Sequence, residues 1–365
     1  MKKLLILCAL LLLFPCAALA EDVYALIDST GNVLTSYCGE CEPGDEYISA
    51  DNHHYRVESV DKDKLTAKVT HLGAADMPDV SWLEMVDNAT PVSARKRLIA
   101  IYCTHSDESY IEGDGKQSDE KRGGIYDVAD EFAAHLEDCG ATIQLSDKTH
   151  HPHDSGAYRR SRSTAVQLLK GQPSAIFDLH RDGIPDPDEY AVTIGGEKMS
   201  KVRLLVGKSN QNKDANLSFA KQVKAVGDKL YPGLIKDIYM GKGTYNQDLA
   251  PRCLLLEFGT HTLSKERVMN STGPMADVAF RALFGGVTGS AGASDVGSSR
   301  SSEETPASES NEGSGAMWWI IGGLVVGLGL FAFLSSGSMQ GGASKWKRSF
   351  SEMTGGLMGK GNRKK

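Results

Sequence analysis

Three apolar segments of the chain are each followed by an imidazole or a carboxylate. The segments are residues 98–102, 175–179 and 253–256, and the side chains that follow them are His105, Glu108, His180 and Glu257. Continuous apolar runs of this length are typical of strands buried on both faces of an α/β sheet. Because the sites of such sheets form at the carboxyl ends of the strands, we expect these four side chains to lie close together.

Two imidazoles and a carboxylate form a ligand set that suits zinc. Three protein ligands leave the fourth position of a tetrahedral site for water, and zinc lowers the pKa of that water to about 7. The predicted ligands are His105, Glu108 and His180. Glu257 ends an apolar run, where a carboxylate is costly to bury without a partner. We therefore predict that Glu257 is the general base that takes a proton from water and passes it to a leaving amine.

The same residues have structural explanations that the sequence alone leaves open. A histidine that follows a strand is often an ordinary hydrogen-bonded residue, and Glu257 could pair with Arg252 or Arg181. One loop also carries three more histidines, which are His150, His151 and His153. Such a loop is either a second metal site or a feature of the rim.

The elements that must position these residues follow from the hydrophobic pattern. Between residues 96 and 287, strand-like and helix-like segments alternate, which predicts one α/β domain. Within it, Val128, Phe132 and Leu136 recur at helical spacing, so a helix is predicted from residue 125 to 136. Further helices are predicted from residue 163 to 170 and from residue 274 to 284. Residues 21–76 instead alternate apolar and polar side chains between turns, which predicts a small all-β module ahead of the α/β domain.

Both ends of the chain predict an exported protein with a single membrane anchor. Residues 1–20 have the basic start, apolar core and small-residue cleavage site of a signal peptide. Residues 317–335 form an uncharged stretch about long enough to span a bilayer. The basic tail, residues 336–365, is then cytoplasmic, which places the body of the protein on the cell-wall side of the cell membrane. Residues 288–315, rich in Ser, Gly and Glu, are predicted to be a disordered linker.

The charge of the chain bears on its partners. Its formal net charge is −7 at pH 7, and because the tail is basic, the acidic excess falls on the predicted exported part. An acidic surface repels phosphate backbones. We therefore expect no nucleic acid partner.

Five stretches give the chain a resemblance to a known family. They are Ile101-Tyr-Cys-Thr-His105-Ser-Asp-Glu108, Ser155-Gly-Ala-Tyr-Arg-Arg-Ser161-Arg162, Asp178-Leu-His180-Arg-Asp182, Thr244-Tyr-Asn246-Gln-Asp-Leu249-Ala-Pro251 and Leu255-Leu-Glu257-Phe-Gly259. In this order, over residues 98–284, they resemble the stage II sporulation protein P family. Because several independent motifs agree, the resemblance is more specific than a single pattern match.

The resemblance implies a fold, an activity and partners. The implied fold is a zinc amidase-like mixed sheet flanked by helices. The implied activity is that of a zinc-dependent N-acetylmuramoyl-L-alanine amidase, which hydrolyses the amide between the muramic acid lactyl group and the stem peptide of peptidoglycan. Some members also cut peptide cross-links. A lytic transglycosylase resembling stage II sporulation protein D is the protein partner that the family association suggests.

The family's functional residues carry over motif by motif. His105 and His180 become zinc ligands, and Glu257 becomes the catalytic carboxylate. Glu108 is the chosen third ligand, and Glu120 is its rival, because related wall amidases usually place a ligand just ahead of the first helix. The other predicted site residues are Arg181 and Asp182, which would orient His180 or grip the substrate, and Asn246 and Arg162, which would contact the substrate.

Two departures from the family pattern keep other functions open. Cys103 stands where the family usually carries a histidine, and the predicted anchor is C-terminal whereas the family is usually anchored at its N-terminus. A catalytically decayed peptidoglycan-binding or scaffold protein is therefore one alternative. A peptidase that cuts a different amide bond is another. Sporulation and general cell-wall remodelling are both compatible with the motifs.

Overall fold

The computed structural model of the chain describes residues 22–88, 97–154 and 156–285. Within these ranges, no helix is both long and apolar enough to cross a membrane. The predicted signal peptide (1–20), linker (288–315), transmembrane helix (317–335) and basic tail (336–365) all lie outside the described residues. These four assignments stay predictions from the sequence.

Thirteen strands and four longer helices are found in the described ranges. The strands are β1 (Val23–Ile27), β2 (Val33–Cys38), β3 (Glu46–Ile48), β4 (His53–Asp61), β5 (Thr66–Ala74), β6 (Leu98–Tyr102), β7 (Thr142–Leu145), β8 (Ala175–Asp182), β9 (Ala191–Ile194), β10 (Glu197–Ser200), β11 (Val202–Gly207), β12 (Ile235–Gly241) and β13 (Cys253–Thr260). The helices are α1 (Ile125–Asp138), α2 (Ala157–Leu169), α3 (Lys213–Leu230) and α4 (Lys265–Phe284). Shorter helical segments are Ser81–Asn88, Ile111–Asp114 and Pro187–Glu189.

Eleven of the described strands form one mixed sheet, in the order β2-β1-β5-β4-β3-β12-β11-β13-β8-β6-β7. β6 is parallel to both β7 and β8, and β8 is parallel to β13, whereas β11 is antiparallel to β13. β9 and β10 form a separate hairpin. Its turn residues Gly195 and Gly196 have φ angles of 60° and 88°, the left-handed region that two-residue hairpin turns use. The mixed sheet with helices packed against it confirms the predicted fold class.

The two faces of the sheet are covered differently. Phe177 and Leu179 of β8 enter the main core, which α1, α3 and α4 also line. Because side chains alternate along a strand, His180 projects from the opposite face. The same alternation on β13 places Leu256 in the main core and Glu257 on the face with His180. The candidate site therefore lies on the face that those three helices leave uncovered.

The N-terminal strands occupy the range predicted for the small β module, and they continue the same sheet. β3 pairs antiparallel with β12, which joins β1–β5 to the α/β region. β2 packs over the face that carries Glu257. Its Tyr37 ring stacks on Tyr239 with the centroids 3.7 Å apart, and the Thr35 hydroxyl accepts a hydrogen bond from Arg203 at 2.9 Å. A second hydrophobic cluster fills the space between them.

Two helices begin earlier than the sequence pattern predicted. α2 was expected from residue 163, but it begins at Ala157. The earlier start was missed because the buried face includes small residues such as Ser161 and Ala165, which a pattern built on large apolar residues does not detect. α4 was expected from Pro274, but it begins at Lys265. The buried residues on either side of the proline, such as Val268 and Met275, keep one apolar face continuous across it.

Candidate metal centre

The three predicted ligands converge at the ends of two neighbouring strands. His105 and Glu108 lie in the turn that follows β6, and His180 lies near the end of β8, which is parallel to β6. Nδ1 of His105 is 3.1 Å from Oε1 of Glu108, and Nδ1 of His180 is 3.3 Å from the same oxygen. One ligand atom from each residue lies within 4.8 Å of the other two. The three side chains can therefore reach a single ion.

The charges of these groups depend on one another. Burial alone would raise the pKa of Glu108, but His180 and the hydrogen bond with His105 hold it well below its ordinary value. Burial alone would lower the pKa of His180, but Asp178 and Glu108 raise it well above the usual range. At His105 burial prevails and lowers the pKa. These two shifts favour an ionised carboxylate at Glu108 and a positively charged imidazole at His180.

A second carboxylate stands behind His180. Nε2 of His180 lies 3.2 Å from Oδ1 of Asp178, although the two atoms are not aligned as a hydrogen bond. Asp178 is itself fixed by the main-chain N–H and the hydroxyl of Thr104, at 2.8 and 2.6 Å. A carboxylate in this position orients a ligating imidazole and selects its tautomer. Sequence reasoning gave Asp178 no role, although it begins the motif that contains His180.

Glu257 lies beside the ligands on the next strand. Its Cα is the register partner of His180 across the β13–β8 pair. Its Oε2 atom is buried and has no hydrogen-bond partner among the described residues. Burial raises the pKa of Glu257 well above its ordinary value; His180 opposes this, and the carboxylates of Asp182 and Glu108 reinforce it. A half-buried carboxyl that lacks a partner and is adjacent to a ligand cluster is typical of an acid–base group.

Arg181 and Asp182 lie next to the ligands but point elsewhere. The main-chain N–H of Arg181 donates to Oε2 of Glu108 at 2.8 Å, while its guanidinium bonds to the carbonyl of Ser109 at 3.3 Å. Asp182 is buried, and it accepts hydrogen bonds from Arg203 at 3.1 Å and from a tyrosine hydroxyl at 2.5 Å. Arg181 therefore orients Glu108 rather than His180, and Asp182 belongs to a buried ion pair.

Asn246 and Arg162 connect α2 to the loop that follows β12. The Asn246 amide donates to the carbonyl of Tyr158 at 3.1 Å and to the hydroxyl of Ser161 at 3.0 Å. Arg162 forms a two-pronged ion pair with Asp248, at 2.8 and 2.6 Å. Both predicted substrate contacts are engaged in holding these two elements together.

Two residues that bear on the alternatives lie away from the ligands. Glu120, the rival third ligand, is exposed and is not part of the described ligand cluster. Cys103 is fully buried in the main core, where burial raises the pKa of its thiol well above the ordinary value. The thiol therefore packs as a core side chain.

The three histidines of the loop before α2 separate from one another. His150 bonds through Nδ1 to a main-chain carbonyl and through Nε2 to the Thr164 hydroxyl, both at 2.9 Å. The Nδ1–H of His153 donates to Asp107 at 3.0 Å, and its ring stacks on His105 at a centroid distance of 3.9 Å. No second metal-ligand cluster is found in the described part of the chain. The pair of His153 and Asp107 lies beside the ligand cluster, because the His153 ring stacks on His105.

The fold and the site together define an α/β protein with a candidate metal centre on one face of its sheet. Two imidazole nitrogens and a carboxylate oxygen converge beside Glu257, whose buried Oε2 atom has no partner among the described residues, and this donor set fits zinc. The sequence model of the family described as Stage II sporulation protein P (SpoIIP) matches residues 39–279. The chain belongs to the stage II sporulation protein P family, which confirms the resemblance drawn from the motifs.

Individual relatives cover part of the chain. Stage II sporulation protein P of Bacillus subtilis (strain 168) is 31% identical over 202 residues, which are 50% of this chain and 50% of that protein. The chain thus spans about half the length of this curated relative. Among solved structures, an N-acetylmuramoyl-L-alanine amidase of Nostoc punctiforme is similar over 52% of this chain and 97% of its own, at 16% identity and a TM-score of 0.36. The apo form of an N-acetylmuramyl-L-alanine amidase from Mycobacterium abscessus is similar over 52% and 97%, at 13% identity and a TM-score of 0.34.

Proposed function

We propose that the protein is a zinc-dependent N-acetylmuramoyl-L-alanine amidase that cuts peptidoglycan during sporulation or other cell-wall remodelling. The observation that carries the proposal is the convergence of ligand atoms from His105, Glu108 and His180 within 4.8 Å. Membership of the stage II sporulation protein P family supports peptidoglycan as the substrate. Cleavage of peptide cross-links by the same site is part of the proposal.

In this proposal His105, Glu108 and His180 hold the zinc ion, which supplies a Lewis acid and makes water nucleophilic near neutral pH. Glu257 takes the proton from the attacking water and delivers it to the nitrogen of the leaving amine. Burial raises the pKa of Glu257, which supports this role, because a carboxyl with a raised pKa is a stronger base and can return the proton. Asp178 keeps the His180 ring in its ligating orientation.

We further propose that the protein acts from the outer side of the cell membrane, held by residues 317–335. The apolar stretch and the basic tail in the sequence support this placement. Proteolysis of intact protoplasts tests it. A protease added outside should remove the ectodomain and leave an epitope tag on the C-terminus protected. The lytic transglycosylase partner is tested in the same cells by co-purification.

The activity is tested by digesting purified sacculi with the full-length protein, solubilised in detergent and supplied with zinc, and identifying the products by mass spectrometry. Glu257→Gln is the matched variant, because it keeps the shape of the side chain and removes the base. We expect wild-type protein to release stem peptides with a free N-terminal alanine. We expect Glu257→Gln to bind zinc normally and to release none.

Each other outcome points to a different function. Cleaved cross-links without free stem peptides would make the protein an endopeptidase. Binding to sacculi with neither products nor zinc would favour the decayed scaffold protein. Full activity in Glu257→Gln would remove Glu257 from the mechanism.

A further inference from the structure

A tyrosine ring lies against both histidine ligands. Tyr158 is in the first turn of α2. Its ring meets the His105 ring edge-on at a centroid distance of 5.5 Å, and lies nearly parallel to the His180 ring at 6.2 Å. On its other side it meets the ring of Tyr245 edge-on at 5.4 Å. The ring therefore forms one wall of the candidate metal centre.

The loop after β12 fixes the position of this wall. Tyr245 and Asn246 both have left-handed φ angles, of 48° and 55°, which cost energy for residues other than glycine. The Tyr245 ring lies over Gly243, where any Cβ would overlap it. From this strained loop, Asn246 bonds to the carbonyl of Tyr158 at 3.1 Å. Strain of this kind persists where the surroundings hold a residue in place, and here it places Tyr158 against the ligands.

The hydroxyl of Tyr158 has no hydrogen-bond partner among the residues that the structure describes. Neighbouring tyrosines do have partners: the Tyr110 hydroxyl donates to a main-chain carbonyl at 2.9 Å, and the Tyr190 hydroxyl donates to Asp182 at 2.5 Å. Tyr158 is only half-buried. A tyrosine hydroxyl usually finds a partner when it is buried, and a substrate that covers Tyr158 can supply one here.

The phenol can act as a hydrogen-bond donor, because the ordinary pKa of a tyrosine is about 10 and the hydroxyl keeps its proton near neutral pH.

We propose that the Tyr158 hydroxyl donates a hydrogen bond to the carbonyl oxygen of the amide that is cut. The proposal rests on the proposed amidase function. At the reacting amide, the nitrogen carries a hydrogen and donates, whereas the carbonyl oxygen accepts and gains negative charge when water adds. A donor fixed beside that oxygen stabilises the transition state more than the bound substrate. Tyr158 exchanges no proton and forms no bond in the step.

The test is Tyr158→Phe, with Tyr231→Phe as its matched control. Both substitutions remove one hydroxyl and keep the ring, but the Tyr231 hydroxyl donates to Asp277 at 3.1 Å at the end of α3, one of the helices on the opposite face of the sheet. Full-length zinc-loaded proteins are assayed for stem-peptide release from solubilised muropeptides. We expect kcat of Tyr158→Phe to fall about 100-fold, with KM and zinc content unchanged. We expect Tyr231→Phe to retain wild-type kcat.

Any other result would overturn the proposal. An unchanged kcat in Tyr158→Phe would show that the hydroxyl makes no contact in the transition state. A rise in KM alone would make it a ground-state contact, and a loss of zinc would make it a support for the ligands. An equal fall of kcat in both variants would show that the loss does not depend on a hydroxyl beside the ligands. Wild-type protein that released no stem peptide would instead refute the proposed function, and this inference with it.

Discussion

Oε1 of Glu108 lies 3.3 Å from Nδ1 of His180, although the two residues are 72 positions apart in the chain. The parallel pairing of β6 and β8 brings their carboxyl ends to the same edge of the sheet. Glu108 follows one strand and His180 ends the other. This relationship places Glu108, rather than an acidic residue nearer to α1, beside the two histidines, where the proposed zinc site needs its third ligand.

Glu108→Gln is therefore expected to lose zinc, whereas Glu120→Gln is expected to keep it. The first substitution replaces an ionised ligand by a neutral amide in a buried cluster, and the second changes an exposed side chain. Zinc affinity, measured by competition with a chromogenic chelator, should fall by more than about 100-fold in Glu108→Gln, beyond the loss typical of residues behind the ligands. Zinc loss in Glu120→Gln alone would reverse the assignment.

Asp178→Asn should weaken zinc binding without abolishing it. The carboxylate lies 3.2 Å from Nε2 of His180. In the proposed function it keeps the ring in its ligating orientation, and loss of such a partner typically lowers metal affinity by about 10–100-fold. Asp248→Asn is the control, since Asp248 pairs with Arg162 away from the ligands. The same chelator competition measures both. Equal affinities in the two variants would leave Asp178 with a role in packing only.

Arg203→Met should strongly destabilise the fold. Arg203 is only 1% exposed and bonds to Asp237 at 2.8 Å and to Asp182 at 3.1 Å. Removing it strands two buried carboxylates, for which a cost of about 3–5 kcal/mol is expected in the free energy of unfolding. Urea unfolding of the full-length protein measures the loss.

Two further variants test the cause of that loss. Arg203→Met combined with Asp237→Leu removes one stranded charge with its partner, so it should regain part of the stability. Lys242→Ala breaks an exposed ion pair with Glu42 and should leave the urea midpoint unchanged. A double variant less stable than the single one would contradict this account of the buried pair.

The pair of Asp107 and His153 should stabilise the protein in a defined pH window. Burial alone would raise the pKa of Asp107, but the hydrogen bonds from His153 and Ser118 lower it to about 2. Since its unfolded value is about 3.9, its contribution is present above about pH 4 and is lost as the pH falls toward 2. Burial would lower the pKa of His153, but Asp107 raises it. Its contribution is complete below about pH 6.5 and is lost as the pH rises through the folded value.

Asp107→Asn should therefore lower the free energy of unfolding most between about pH 4 and 6.5. Urea unfolding of the metal-free protein across pH measures the difference from wild type. The control is Asp130→Asn, which alters an exposed ion pair with Arg122 and should have little effect at any pH. A deficit in Asp107→Asn that did not vary with pH would mean that its loss is one of packing, not of charge.

The sequence was sufficient to predict that His105, Glu108 and His180 come together, because each of them lies next to a strand end. An apolar run that stops at His180 or Glu257 indicates a buried strand, and it also indicates that the polar side chain lies near the end of that strand. The pair Gly195-Gly196 is typical of a two-residue hairpin turn and could have indicated the β9–β10 hairpin. The strands on either side of it are too short and too polar to be recognised from their apolar content.

The buried ion pairs of Arg203 could not be predicted from strand ends. Arg203 sits within the apolar segment Val202–Gly207, where a single charge suggests an exposed position. Its partner hydroxyl on Thr35 lies 168 residues away. The pairing depends on β2 packing over β11 and β12, and the local pattern of apolar and polar residues does not predict which distant strands pack together. Tyr158 was given no role for the same reason, since its ring neighbours come from the turn after β6, from β8 and from the loop after β12.

The pairing of β3 with β12 means that the N-terminal strands can finish folding only after β12 has been synthesised. Thr35 and Asp237 touch although 202 positions separate them, so the strands synthesised first acquire their partner among the last. Contacts of such long range slow folding. A chain that ends before residue 235 would present β3 as an unpaired edge and leave Tyr47 and Ile48 without their neighbours on β12. An early stop in translation should therefore yield aggregates and no soluble fragment.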